Sequence, residues 1–382
     1  MKKQRILFPI GSFFPAQSGG PNNTIYFLAK ALVANGYEVT VATTMEGITQ
    51  EHRRIWGIRP NHLLTIDGIQ VIFVPQFPVK RVFDVYLWGW MIRHLGEFDL
   101  VHLSSFFSFY TLLGGLLGSL KRKKLILSTH GELEAGALTF KPVLKQIYLR
   151  LVSPLFSKIP FHVTAPQEAL FCQKYFPHTH YFILPNLTEI APEVGTGSSR
   201  QGVLYLGRLH PKKGINRLIQ AFSRLPKALR DQHPLTIAGT GSIEAETELT
   251  SLVSQLELSS CVQFVGHVEG DAKARLFSTT QVFVLPSHSE NFGIVVTEAM
   301  NYGAYVITST KTPWQILQDK GIGSWVDNDP DTLATELTKV LTMDEQTYCS
   351  KTVAAREFLK ASYDVQAHVG GYLEMYQRVM NE

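Results

Sequence analysis

The sequence contains little cysteine, no long apolar run and no strong excess of charge of either sign. Its 382 residues include three cysteines. These form no C-x-x-C pair, which argues against a disulfide framework and predicts a reducing, cytoplasmic environment. No apolar run reaches the length needed to cross a membrane. The basic start MKKQRILFPIG leads into an apolar stretch that is too short for a signal peptide and is expected to be a strand. The net charge of +4 is too small to indicate binding to nucleic acid.

The composition is that of an ordinary globular protein, 45% apolar and 18% charged. At this length two domains are expected. Short apolar segments alternate with helical patterns in both halves, which predicts parallel sheets with helical crossovers. The predicted strands are 6–9, 39–42, 71–74, 100–103, 125–129, 161–164 and 182–184, then 203–206, 235–238, 262–265, 282–285, 305–308 and 324–326. The expected fold class is therefore α/β, with two doubly wound, Rossmann-like domains facing across a cleft that holds the ligand.

A linker is predicted between the two halves because residues 188–202 (TEIAPEVGTGSSRQG) are rich in proline, glycine and serine and show no periodicity. We therefore place a first domain at 1–188, the linker at 189–201 and a second domain at 202–361. The last segment, 362–382, is predicted to be a helix that packs back toward the first domain.

The stretch SENFGIVVTEAM, residues 289–300, has two glutamates eight residues apart, just after a predicted strand. Gly293 precedes a helical pattern over 294–301. The first amides of a helix lack partners within it, which favours an anion site. Glu290 and Glu298 suit such a site if they accept hydrogen bonds from hydroxyl groups of the same ligand. The alternative is local: Ser287 and Glu290 would form a capping box, and Glu298 would favour the positive end of the helix.

The segment YLGRLHPKKGINRL, residues 205–218, ends a predicted strand and places Arg208 and Lys213 around a turn. Arginine offers a planar fork and lysine a mobile charge, and both suit phosphate oxygens. The alternative is a solvated surface turn. After the next strand, Gly239 and Gly241 would let the backbone approach a ligand. These two glycines lack the third that a dinucleotide fingerprint requires.

Two further candidate sites lie in the first half. Gly19 and Gly20 follow the first strand and would direct amides toward a phosphate or a sugar, with a flexible loop as the alternative. His130 follows a strand and is placed for the cleft, with a hydrogen-bonded structural histidine as the alternative. In the second half, Asp327 and Asp329 have the D-x-D form of some metal sites. The proline and helix that follow predict a turn and an N-cap instead, so no metal site is expected.

Residues 140–161 combine four Lys and Arg with aromatic and aliphatic residues, and 120–125 adds four more basic residues. Such a surface suits the inner face of an anionic membrane, with about 1 kcal/mol contributed per basic residue. We therefore expect a cytoplasmic protein with a peripheral membrane contact. The alternative is a helix whose apolar face simply belongs to the core.

Together these motifs resemble the retaining glycosyltransferases of family 4, which have the two-domain GT-B fold. The resemblance is carried by Gly-Arg…Lys-Gly, then Gly-x-Gly, then E-x7-E, in that order. The segment TPWQILQDKGIGSWV, residues 312–326, is similar to bacterial members that build surface polysaccharides. The resemblance implies that the first domain binds the acceptor and the second domain binds the nucleotide sugar.

The resemblance also implies roles for the candidate residues. Glu298 would hydrogen-bond the ribose of the donor. Arg208 and Lys213 would bind its diphosphate, with Thr297 beside it at the helix start. Asn291 replaces the usual glycine, a change expected to alter donor preference. The donor sugar would be held by a run of neighbours, namely Glu290 and the amides of Asn291, Phe292 and Gly293.

In the first domain, the resemblance implies that Gly19 and Gly20 close over the diphosphate or the sugar. His130 matches the cleft histidine near the sugar C6 hydroxyl. His130 and Glu290 are the predicted catalytic residues.

The implied activity is transfer of a sugar from a UDP- or GDP-sugar to a glycan or lipid-linked acceptor, with retention of anomeric configuration and without a metal or cofactor. The leaving phosphate would take the acceptor proton, while fixed cations and helix amides stabilise its charge. Two alternatives remain: a GT-B-type nucleotide-sugar epimerase, and a non-catalytic nucleotide-sugar-binding protein.

Overall fold

The chain forms two compact units in the computed structural model. The first is Met1–Glu189 together with Ser362–Glu382, and the second is Ile190–Ala361. Most of the predicted linker, 192–199, lies outside the described residues. The structure describes residues 3–16, 20–76, 84–139, 141–191 and 200–382.

The strands agree with the sequence predictions to within two residues at each end, and one strand was not predicted. In the first unit they are β1 Arg5–Pro9, β2 Glu38–Thr44, β3 Leu63–Ile66, β4 Ile69–Val74, β5 Leu100–Ser104, β6 Lys124–Ser128, β7 Phe161–Val163 and β8 Tyr181–Ile183. In the second unit they are β9 Gln201–Leu206, β10 Leu235–Ala238, β11 Val262–Gly266, β12 Thr280–Leu285, β13 Tyr305–Ser309 and β14 Ser324–Val326.

Helices and short turns connect these strands. The helices are α1 Gly20–Ala34, α2 Gln50–Trp56, α3 Val85–His94, α4 Phe109–Leu120, α5 Ala135–Leu138, α6 Pro142–Phe156, α7 Pro166–Gln173, α8 Ile215–Ser223, α9 Lys227–Gln232, α10 Ile243–Gln255, α11 Gly270–Thr279, α12 Ile294–Asn301, α13 Ile316–Asp319, α14 Pro330–Leu341, α15 Glu345–Tyr363 and α16 Val365–Asn381. Two 3-10 turns cover Leu95–Glu97 and Pro211–Lys213. Within the part of the chain that the structure describes, no helix has both the length and the apolar character needed to cross a membrane.

The first sheet has the order β3-β4-β2-β1-β5-β6-β7-β8 and is parallel except for β3, which pairs antiparallel with β4. Side chains are buried on both of its faces. One core cluster contains Phe8 and Val41, and the other contains Leu7 and Val101. Burial on both faces explains why the strands are continuous apolar runs rather than alternating ones.

The second sheet has the order β11-β10-β9-β12-β13-β14 and is parallel throughout. Numbered from its own first strand, this is the order 3-2-1-4-5-6 of Rossmann folds. The winding reverses between β9 and β12, and such a reversal leaves a crevice at the carboxyl ends of the two strands. The predicted class of two Rossmann-like α/β domains is therefore confirmed.

The C-terminal helix α16 belongs to the first unit and is attached there by a buried chain of hydrogen bonds. The hydroxyl of Tyr376 lies 2.5 Å from Nδ1 of His102. Oγ of Ser128 lies 2.7 Å from Nε2 of His102 and 2.7 Å from Nδ1 of His162. Tyr372 reaches Nε2 of His162 at 3.0 Å. Burial lowers the pKa of both histidines, so this network is uncharged at neutral pH.

Candidate functional site

An ion pair between two predicted site residues lies after β9 and β12, where the strand order of the second sheet reverses. Lys213 ends the 3-10 turn after β9, Glu290 lies in the loop after β12, and Nζ of the lysine contacts Oε1 of the glutamate. Ser287 donates its hydroxyl to the same oxygen at 2.9 Å. The side chains of the pair are 22% and 11% exposed. The pair is therefore shielded from solvent but still within reach of a ligand.

Gly214 allows the loop after β9 to pass directly over the end of β12. Its φ is +67°, and a Cβ at this position would lie 2.1 Å from the carbonyl oxygen of Pro286. Asn328 donates its side-chain amide to that carbonyl at 3.0 Å. Only glycine fits this approach without strain, and the approach brings the basic turn to the acidic loop.

The capping-box alternative for Ser287 and Glu290 is wrong. Helix α12 begins at Ile294 with Gly293 as its N-cap, and no side chain hydrogen-bonds to that cap position. Ser287 bonds to the side chain of Glu290 instead. Because the first amides of α12 have no side-chain cap, the start of this helix has the geometry that binds anions.

Glu298 forms a second ion pair, with a residue that no sequence motif singles out. Lys273 of α11 places Nζ 2.6 Å from Oε1 of Glu298. Oε2 of Glu298 is buried and has no hydrogen-bond partner among the residues described. An acceptor in this state is costly to leave unpaired, and a ligand hydroxyl would satisfy it.

Arg208, just after β9, is exposed, whereas its backbone is held by a hydrogen bond from a buried side chain. The hydroxyl of Tyr205 donates to the carbonyl oxygen of Arg208 at 3.0 Å. Burial raises the pKa of Tyr205, which keeps this phenol protonated as a donor. The guanidinium group therefore extends to solvent from a rigid strand end.

Gly239 and Gly241 lie against protein backbone. At Gly239 the φ is +134° and a Cβ would lie 1.8 Å from the carbonyl oxygen of Gly207, while at Gly241 a Cβ would lie 2.3 Å from that of Leu209. These glycines therefore allow the chain after β10 to pass close to the backbone of the loop after β9. The two glycines shape the loop that presents the arginine.

The turn Asn291–Gly293 is fixed by Trp314, which is itself buried. The indole N–H of Trp314 donates to the carbonyl oxygen of Phe292, and the two ring centroids are 5.2 Å apart. Thr297 is buried inside α12, and its hydroxyl donates to the carbonyl oxygen of Ile294 at 2.7 Å. The hydroxyl of Thr297 is therefore already used within the helix.

In the first unit, His130 follows β6 with a left-handed backbone, φ +48°. Its Nε2 lies 3.4 Å from Oγ of Ser104, at the end of the neighbouring strand β5. Burial lowers the pKa of His130 to about 4, although the nearby Glu168 opposes this shift. The imidazole is therefore uncharged at neutral pH. One of its ring nitrogens can donate a hydrogen bond and the other can accept one, but the ring does not act as a cation.

Glu168, a buried carboxylate that no motif indicates, fixes the turn that carries His130. Its Oε1 accepts from the hydroxyl of Thr129 at 2.7 Å and from the N–H of Gly131 at 2.5 Å. Its Oε2 accepts from the N–H and the hydroxyl of Thr164. These four hydrogen bonds compensate for the burial of the carboxylate. In the sequence, Glu168 is recognisable only as a residue that follows a proline at a helix start. Its contact with Gly131 could not be predicted, because the two residues are 37 positions apart.

Two groups of sequence candidates remain, the Gly19–Gly20 pair and the D-x-D segment. Gly19 is outside the described residues, and Gly20 is the first residue of α1. The D-x-D segment is a turn and helix start, as predicted: Asp329 is the N-cap of α14 and accepts from the amides of Asp331 and Thr332. Among the residues that the structure places, no group of three or more His, Cys, Asp or Glu side chains is arranged to hold a metal ion.

Two family models match the chain, one in each half. Residues 188–355 match the model described as Glycosyl transferases group 1, and residues 18–170 match the model described as Glycosyltransferase Family 4. The first range contains both ion pairs, and the second contains His130 and Glu168.

One curated relative is O-antigen chain mannosyltransferase B of Escherichia coli. The chain is 30% identical to it over 142 residues, which cover 37% of this chain and 37% of the relative. The chain spans less than two fifths of the length of curated relatives such as this one.

Two solved structures superpose over almost the whole chain. Sucrose-phosphate synthase from Thermosynechococcus elongatus does so with a TM-score of 0.79 at 21% identity, covering 99% of this chain and 100% of that one. Anabaena Alr3699/HepE, in complex with UDP-glucose, does so with a TM-score of 0.76 at 19% identity, covering 98% and 99%. The chain therefore has the GT-B fold, and its two halves match the group 1 and family 4 glycosyltransferases.

Proposed function

We propose that the protein is a retaining glycosyltransferase that moves a sugar from a nucleoside-diphosphate sugar to a glycan or lipid-linked acceptor. The observation that carries this proposal is the pair of salt bridges around the start of α12, Lys213 with Glu290 and Lys273 with Glu298. The lysines and Arg208 attract phosphate, and the two carboxylates accept hydrogen bonds. A ligand that has both phosphate and hydroxyl groups would pair with these cationic side chains and with the two carboxylates.

The donor is expected to bind with its ribose at Glu298, its diphosphate at Arg208, Lys213 and the start of α12, and its sugar at Glu290. On binding, Lys213 would exchange the carboxylate of Glu290 for a phosphate oxygen. Glu290 would then be free to accept hydrogen bonds from the sugar. UDP-glucose in the Alr3699/HepE structure supports a nucleotide sugar as the donor, so UDP- and GDP-sugars are the first candidates.

In the proposed reaction, the bond between the anomeric carbon and the leaving phosphate oxygen breaks while the acceptor oxygen bonds to that carbon on the same face. The acceptor proton passes to the leaving phosphate oxygen, so no protein base is needed. Lys213 and Arg208 stabilise the negative charge that develops on the diphosphate. Neutral His130 would contribute a hydrogen bond to the sugar, in keeping with its lowered pKa.

The biological setting that we propose is the synthesis of bacterial surface polysaccharide or glycolipid on the cytoplasmic side of the membrane. The O-antigen chain mannosyltransferase among the relatives supports this setting. The same relative makes mannosyl donors worth including in any screen.

Thermal stabilisation by a panel of nucleoside diphosphates and their sugars tests the donor assignment. A ligand at 100 times its Kd adds about 2.7 kcal/mol to the free energy of unfolding. We expect this stabilisation in the parent, a reduced effect in Glu298→Gln and Arg208→Ala, and an unchanged effect in Lys212→Ala, whose exposed side chain is the matched control.

Transfer is then measured with the stabilising donor, and the anomeric configuration of the product is read by NMR. A product of inverted configuration would contradict retention. Interconversion of sugar nucleotides without an acceptor would indicate the epimerase alternative. Tight donor binding with neither reaction, across a broad set of acceptors, would indicate a binding protein.

A further inference from the structure

Helix α6 of the first unit presents a row of apolar side chains to solvent. Val143, Leu144, Ile147 and Leu151 are between 52% and 74% exposed, and their spacing places them on one face of the helix. Leu149, on another face, is buried. The alternative in which the apolar face of this segment is simply core therefore fails for the exposed row.

Helix α4 packs against α6 and adds further exposed apolar side chains. Gly115 of α4 lies against the ring of Phe156 of α6. Leu116 and Leu120, near the end of α4, are exposed. We refer to the exposed apolar residues of both helices as the α4–α6 surface, which consists of Leu116, Leu120, Val143, Leu144, Ile147 and Leu151.

The charge around the α4–α6 surface is predominantly positive. Residues 100–167, which include both helices, contain eight Lys and Arg and two Glu, Glu132 and Glu134, whereas in the whole chain basic residues exceed acidic ones by only four. Lys145 is turned inward, where its Nζ donates to the carbonyl oxygen of Ala137 at 2.7 Å. The exposed members of the basic set are Lys121, Arg122, Lys141, Arg150 and Lys158.

A groove of about 440 Å³ runs along the flank of α6. Arg150 and Ser153 of the helix line it, together with Ser157 just after the helix and Tyr175 from the chain that follows α7. The hydroxyls of Ser153 and Ser157 donate to the carbonyl oxygens of Leu149 and Pro154, so Arg150 supplies the charge at this groove. An anionic phosphodiester headgroup is a suitable partner for its guanidinium group.

We propose that the α4–α6 surface binds an anionic phospholipid membrane, with its apolar side chains at the acyl boundary and its basic side chains among the headgroups. Charge complementarity selects this occupant. A second copy of the chain, paired through the same surface, would bring two sets of like charges together. The inference does not rest on the proposed transferase activity, and neither test depends on the other.

Flotation of the full-length chain with vesicles of phosphatidylcholine, with and without phosphatidylglycerol, tests the inference. At low salt we expect binding to the anionic vesicles only. Each basic residue near such a surface changes the partition coefficient about fivefold. Arg150→Gln combined with Lys158→Gln should therefore lower binding about 25-fold. Lys227→Gln combined with Lys360→Gln, at two exposed lysines on α9 and α15, removes the same charge and should leave binding unchanged.

The apolar contribution is tested with Ile147→Glu and Leu151→Glu, against Val353→Glu on α15 as the control with a similarly exposed side chain. We expect the first two variants to lose vesicle binding and the control to keep it, with melting temperatures confirming the fold. Equal binding to neutral and anionic vesicles would overturn the inference, as would parental binding by the charge and apolar variants. Self-association that Leu151→Glu abolishes, in a chain that does not float with vesicles, would assign the surface to a second copy.

Discussion

Lys273 and Glu298 meet from two different helices, with Nζ of the lysine 2.6 Å from Oε1 of the glutamate. The pair leaves Oε2 of the glutamate buried and without a hydrogen-bond partner in the described chain. The lysine thus orients the carboxylate to which ribose binding is assigned. It also neutralises a negative charge close to the proposed diphosphate site, where that charge would otherwise repel the ligand.

Lys273→Met keeps most of the aliphatic stem and removes the charge, so Glu298 should lose its orientation. We expect the Kd for the nucleotide to rise about tenfold or more, since a charge-assisted hydrogen bond contributes about 1.5–3 kcal/mol. The preference for a ribonucleotide over its 2′-deoxy analogue should also fall, and Lys273→Arg should restore both. Calorimetric titration with the two nucleotides measures this. Unchanged preference in Lys273→Met would limit the lysine to a structural role.

Glu298→Gln and Glu290→Gln should affect different kinetic constants. The first removes a charged acceptor for the ribose, and we expect it to weaken nucleotide binding by about 1.5–3 kcal/mol. The second lies at the proposed sugar end of the site and should mainly lower kcat or change the preferred donor sugar. Titration with the free nucleoside diphosphate separates the two, because this ligand has no sugar for Glu290 to bind. Full nucleotide affinity in both variants would contradict the assigned roles.

Lys213→Ala should lower kcat by about 10²–10³-fold, because its charge is needed most when the bond from phosphate to sugar breaks. Donor KM should rise less, since Arg208 and the start of α12 remain. The adjacent Lys212→Ala is the control, because its exposed side chain is not part of the ion pair. Steady-state kinetics on both variants, with melting to confirm the fold, gives the comparison. A folded Lys213→Ala enzyme with parental kcat would remove this lysine from the reaction.

Activity should survive chelation with EDTA, because side-chain cations and helix amides are proposed to balance the diphosphate. Asp329, the alternative metal ligand, is already occupied as the N-cap of α14, and Asp327 accepts from the hydroxyl of Thr310 at 2.5 Å. The assay is run with the donor identified by thermal stabilisation. Loss of transfer on chelation, with recovery on addition of magnesium or manganese, would mean that these aspartates must be reconsidered.

Acid should destabilise the first unit through its buried histidines. The pKa of His130 is about 4 in the folded chain and about 6.5 when unfolded. Below about 6.5 the unfolded chain binds a proton that the folded chain does not, so the free energy of unfolding falls as pH decreases toward 4. His130→Asn removes this titration and suits the left-handed φ at this position. Urea unfolding at about pH 7 and about pH 5 should show a decrease that is smaller by about 1–2 kcal/mol in the variant. An equal decrease in both proteins would contradict the assignment.

The sequence by itself determined the two Rossmann-like units. Their strands are continuous branched apolar runs, because both faces of each sheet are buried, and glycines mark the ends of several helices, as Gly303 does after α12. These are local signals, so the boundaries agree closely. β3 was not predicted because it is a short edge strand with Leu63 exposed. It is held by antiparallel pairing with β4, and its own residues do not predict that pairing.

Tertiary structure alone decided which charges meet. Lys213 and Glu290 are 77 residues apart, and Lys273 and Glu298 lie on separate helices. Their pairing depends on how strands and helices pack, and no local spacing encodes that. The same is true of the helix over 142–156. Its sequence contains apolar residues on more than one face, and only packing against the sheet and α4 determines which of them are buried and which remain exposed to solvent.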